Sequence, residues 1–126
     1  MNMKQIISTP NAPQAIGPYS QAVEANGFVF VSGQIPIVPA TGQMPDGIEA
    51  QTEQVMRNIG AILEAAGLTY SNVVKTTVLL KSIADFATMN GIYAKYFTAD
   101  CPARAAFEVA ALPKGALIEV EVIACK

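Results

Sequence analysis

The chain has 126 residues and a mass of 13.3 kDa, enough for one domain with a substantial core, and residues 1–126 read as a single unit. Just over half of the residues are hydrophobic and 14% are charged, a low share for a small isolated domain, so apolar surface is expected to be buried between copies of the chain. A net charge of -2 and the complete lack of histidine remove a general nucleic-acid footprint, histidine acid/base chemistry, Ser-His and Cys-His nucleophiles, and the usual nitrogen ligands for zinc or copper.

No apolar run approaches a bilayer span, and MNMKQIISTP lacks the basic start and apolar core of a signal peptide. A soluble cytoplasmic protein with no membrane partner is expected. Cys101 and Cys125 are far apart and show no C-x-x-C spacing, which favours free thiols over a redox pair or a zinc knuckle. No metal or cofactor motif is present.

In chain order, NAPQAIGPYSQAV reads as an irregular loop feeding a strand. Residues 19–25 and 28–35 flank Asn26-Gly27, the strongest signal for a two-residue hairpin turn. PIVPATGQMPDG is expected to be a long surface loop. Asp46 and Glu49 resemble a capping box before a helix over residues 48–66, with Val55, Ile59, Ile62, Leu63 and Ala66 at helical spacing and Gly67 as the stop.

VVKTTVLLK, from Val73, is β-branched and reads as a buried strand. Ser82 and Asp85 start a second helix running to about residue 98, on which Phe86, Asn90, Tyr93 and Phe97 form a stripe. Residues 103–111 and 117–124 read as two strands joined by LPKGA, and Leu117, Glu119, Glu121 and Ile123 share one face of the second. The order predicts an α+β fold with helices packed on a mixed or antiparallel sheet.

Two charges stand out. Arg104, one of two arginines, sits among small and apolar residues, and its permanently charged fork suits a carboxylate or phosphate. The competing reading is a salt bridge to Glu108, Glu119 or Glu121. Glu119, on a half-buried strand, suits a general base that activates water, against the bland alternative of a solvent-facing carboxylate. If Ala111 paired with Leu117, Glu119 would share a face with Phe107 and oppose Arg104; a one-residue slip would reverse this. Whether the two charges meet within one chain or across an interface is left open by the residues. Asn90 is a candidate to orient a ligand or to satisfy a core backbone group, Tyr19 offers a hydroxyl after the Gly-Pro loop, and Ser32-Gly33 marks a bulge or a close backbone approach to a ligand.

The segments NAPQAIGPYSQAV, VFVSGQIPI, EAAGLTYSNVVKTTVLL, DFATMNGIYAKYF and PARAAFEVAALPKGALIEVEVIA, in this order, strongly resemble the reactive intermediate deaminase family, RidA or YjgF-like. The resemblance implies a chorismate-mutase-like α+β fold, with two helices on a mostly antiparallel mixed six-stranded sheet, assembled as a homotrimer around a central barrel with clefts between subunits. It also implies cofactor-free hydrolysis of 2-imino acids and their enamine tautomers to 2-oxo acids and ammonia. By the same resemblance Arg104 binds the substrate carboxylate, Glu119 positions water, and Tyr19, Ser32, Gly33 and Asn90 line the cleft. Many bacterial relatives read Arg-Ser-Cys where this chain has Arg104-Ala105-Ala106, which rules out a thiol role here but leaves the Ala106 backbone N–H as a carboxylate donor. Ribonuclease or translation-inhibitor activity, and non-enzymatic carboxylate binding, are the competing functions.

Overall fold

The computed structural model describes residues 3–126. Six strands form one sheet: β1 (Gln5–Ile7), β2 (Ala22–Ala25), β3 (Phe28–Gln34), β4 (Val73–Leu80), β5 (Ala103–Glu108) and β6 (Ile118–Cys125). Their spatial order is β1-β2-β3-β6-β4-β5, antiparallel throughout except for the parallel pair β4 and β5. Two helices, α1 (Ile48–Ala65) and α2 (Phe86–Tyr93), cover one face. The α+β architecture expected from the residues and from the resemblance is the one observed. The hairpin turn forms as expected: Asn26 and Gly27 both take positive φ, 53° and 82°, and Ala25 pairs with Phe28.

The core lies between the helices and one face of the sheet. Alternation along β6 sends Ile118, Val120, Val122 and Ala124 inward, where they meet Val29, Val31, Val78 and Leu80 from neighbouring strands and Val55, Met56, Ile59, Ile62 and Leu63 from α1. The opposite face carries Ile6, Val23, Phe30 and Ile123 in register across four strands, followed by Lys75 on β4. Ile6 is 57% exposed, Phe30 45% and Phe107 47%, so this face presents an apolar surface to its surroundings.

Several local expectations change. The strands at 103–111 and 117–124 do not form a hairpin: β4 lies between them, because β5 enters parallel to β4 and β6 crosses to β4's other edge. The capping box of Asp46 and Glu49 does not form, since Gly47, with φ 87°, takes the N-cap position and leaves the pair one residue out of phase. Ser82 accepts a hydrogen bond from the Ala84 N–H at the start of a 3-10 turn, Ile83–Asp85, and α2 ends at Tyr93 instead of near 98 because i→i+3 bonds from Lys95 and Tyr96 tighten its last turn. The strand expected at 19–25 begins at Ala22, and β1 is an additional strand that the residue pattern did not mark.

Candidate active site

β3 is the first element of the site. Its ladder to β6 skips between Val31 and Gln34, so Ser32 and Gly33 form a bulge opposite β6. Gly33 is required there by contact: a Cβ on it would fall inside the Glu119 carboxylate. Ser32 donates its hydroxyl to the Ser20 carbonyl at 2.6 Å, which ties the bulge to the loop carrying Tyr19. Tyr19, Ser32, Gly33 and Glu119 thereby line one cleft of about 550 Å³, with Pro113 and Lys114 of the β5–β6 connection at its rim. Lys114 holds a left-handed φ of 56°. Burial, and then the nearby Glu121 carboxylate, push the Glu119 carboxyl above its ordinary pKa.

The walls of this cleft are held by buried amides. Gln21 accepts from the Thr9 N–H at 2.7 Å and donates to the Pro13 carbonyl at 2.8 Å, tying the N-terminal loop to the start of β2. Asn58 donates from α1 to the carbonyls of Ile35 and Ile37, and Gln51 accepts from the Leu117 N–H at 2.8 Å, two residues before Glu119. Sequence reading missed all three, since an isolated Gln or Asn shows its role only once its backbone partners are in place.

Arg104 stands elsewhere. Its register partner Thr76 faces the helices, so its side chain rises from the edge strand toward α2. Nη1 donates to Asn90 Oδ1 at 2.6 Å, and the guanidinium carbon lies 5.3 Å from the Phe86 ring centroid and 4.8 Å from that of Tyr93. The stripe on α2 is thus a cradle for the arginine, and Asn90 is exposed beside it, not a buried core amide. Within one chain the salt bridge does not form: Arg104 meets no carboxylate among the described residues, and Glu108 instead accepts from the Ile83 N–H. Ala106 sits two residues along β5, paired with Val78 and half-buried.

The two charges lie on opposite faces of the sheet. Glu119 pairs with Leu79, which pairs with Phe107, whereas Arg104 shares its face with Thr76 and Val122. Within one chain, then, Tyr19, Ser32, Gly33 and Glu119 are brought together, as are Arg104 and Asn90, and the two groups are kept apart. Among the described residues no group of three or more His, Cys, Asp or Glu is placed to hold a metal ion, and no helix is long and apolar enough to cross a membrane.

Comparison with known proteins is consistent across sequence and structure. The family model described as Endoribonuclease L-PSP matches residues 9–126. Reactive Intermediate Deaminase A, chloroplastic, of Arabidopsis thaliana is 55% identical over 96% of this chain, which spans 65% of that protein's length. The 2-iminobutanoate/2-iminopropanoate deaminase of Homo sapiens is 52% identical over 97% of this chain and 90% of the human protein. Among solved structures, a conserved Rid-family protein, YyfA, from Yersinia pestis superposes with a TM-score of 0.96 at 53% identity, covering 98% of this chain and 99% of that one. E. coli TdcF, solved with bound serine, superposes with a TM-score of 0.94 at 42% identity over 97% of this chain and 98% of its own. The chain belongs to the reactive intermediate deaminase (RidA) family.

Proposed function

We propose that the protein hydrolyses reactive 2-imino acids and their enamine tautomers, 2-iminobutanoate and 2-iminopropanoate, to 2-oxo acids and ammonia, in clefts completed between subunits of a homotrimer. The names of its mammalian relatives supply the reaction. The observation that carries it to this chain is Arg104, a forked cation fixed by Asn90 and two rings and answered by no carboxylate among the described residues. Such a cation calls for an anionic ligand.

In this reading Arg104 and the Ala106 N–H hold the substrate carboxylate, with Asn90, Tyr19 and the Ser32-Gly33 backbone fixing its orientation. The imine carbon is already electrophilic, so the chemistry needs alignment, water and proton management. Glu119 takes a proton from water as its oxygen bonds to the imine carbon, and the proton passes to nitrogen. As the C–N bond breaks, the oxygen of water becomes the keto oxygen and both of its hydrogens leave on ammonia. The pKa-raising environment of Glu119 suits a carboxyl that both accepts and returns a proton.

Opposite placement of Arg104 and Glu119 supports a cleft that draws one charge from each of two copies, and the exposed apolar face of the sheet supports their association. We place the protein in the cytoplasm, supported by two cysteines that remain free thiols.

The test couples the protein to a threonine dehydratase and follows 2-oxobutanoate. Acceleration by the wild type is expected, with loss in Arg104→Ala and Glu119→Ala and partial recovery when the two variants are mixed. No acceleration by the wild type overturns the deaminase; two inactive variants that never complement overturn the shared cleft.

A further inference from the structure

We propose that Tyr93 is a positioning residue for the guanidinium of Arg104, and that buried Thr76 locks it in place. Three observations converge. The Tyr93 ring lies 4.8 Å from the guanidinium carbon, closer than Phe86 at 5.3 Å. The Tyr93 hydroxyl shares a 2.8 Å hydrogen bond with the Thr76 hydroxyl, and Thr76 is fully buried. Thr76 is also the direct register partner of Arg104 across β4 and β5.

These contacts close a loop: strand pairing sets Arg104 beside Thr76, Thr76 fixes the Tyr93 hydroxyl, and the Tyr93 ring returns to the arginine. The ring cannot swing away without leaving a buried hydroxyl unpaired, which makes the stacking surface rigid. Asn90 occupies one Nη1 donor from the side, and the guanidinium has donors to spare for an anion. A long, otherwise exposed arginine is thus preorganised before any ligand arrives, which lowers the ordering cost of binding. Tyr93 would act through Arg104 without touching substrate, so its removal should be read in KM more than in kcat.

The inference rests on the carboxylate-binding role given to Arg104 above, and two independent readouts separate them. Arg57 and Arg104 are the only arginines, so NMR of arginine side chains resolves each one. In wild-type protein the Arg104 side-chain protons should be shifted by the ring, and in Tyr93→Leu they should move toward the values of a free arginine. Tyr93→Leu should raise KM about tenfold, with kcat held within about twofold, matching loss of one cation–π contact. Tyr93→Phe, which keeps the ring, should recover all but about two- to threefold of that rise.

Should Tyr93→Leu fail to fold, Tyr93→Phe and Phe86→Leu carry the test, with smaller shifts in the same direction. Arg104 resonances that stay in place in every folded variant, or KM values that never move, overturn the positioning role. Arg104 resonances that move while Arg104→Ala leaves KM unchanged instead overturn the carboxylate-binding role and leave the positioning intact.

Discussion

The arginine half and the glutamate half of the site are held in contrasting ways. Arg104 is exposed, yet side chains fix it from three directions: an amide at 2.6 Å and two aromatic rings. Glu119 is half-buried, and what admits its carboxylate is the missing side chain at Gly33. One half is built by adding contacts, the other by removing atoms. The difference follows from the chemistry each charge performs, because a permanent cation must be aimed, whereas a carboxyl that trades protons must be partly desolvated and kept free to move.

The largest effect should come from Arg104→Ala, which removes the aimed charge outright. Losing a desolvated charged contact is worth about 2 to 5 kcal/mol, so kcat/KM should fall roughly 30- to several-thousandfold while the melting temperature changes little. A variant that retains full activity would erase the distinction between the halves.

Gly33→Ala is the matching cut on the other side. The new methyl would displace the far end of a flexible side chain, so Glu119 should rotate away at small cost to stability. Misplacing a reacting group by about 1 Å costs up to ~100-fold, and a loss of about 10- to 100-fold in kcat is expected with an almost unchanged melting curve. Comparable losses in stability and activity would mean that Gly33 serves the fold and not the carboxylate.

The pH dependence sharpens the contrast further. Glu119 must be ionised to take a proton from water, and burial raises its pKa, so the acid limb of kcat/KM should lie above the ordinary carboxylate range and disappear in Glu119→Gln. The same shift has a small stability consequence. A carboxyl whose pKa is raised on folding disfavours the folded state once pH exceeds both its unfolded and folded values, and does not when both states are protonated. Stability is therefore lost as pH rises through that window. Glu119→Gln should melt slightly higher at neutral pH and show no advantage in acid, an effect kept small by the solvent still reaching the side chain.

Much of the fold was legible because its signals are local. The Asn26-Gly27 turn needs two left-handed residues, the spacing from Val55 to Leu63 needs one helix face, and the alternation of β6 needs one dry and one wet side. The site was legible in part for another reason. Arg104 and Glu119 are charges in apolar surroundings, and such residues stand out in any reading of composition.

By itself, then, the amino-acid sequence determined two helices and five of the six strands, the shared face of Leu117, Glu119, Glu121 and Ile123, the exclusion of histidine chemistry and the identity of the two informative charges. Outside the Asn26-Gly27 hairpin, tertiary structure alone decided which strands are neighbours. Because β4 slots between β5 and β6, the two charges are assigned to opposite faces, and the stripe of α2 becomes a cradle for Arg104. Strand neighbours separated by a long crossover are chosen by burial of the whole sheet, and no short window of residues encodes that choice.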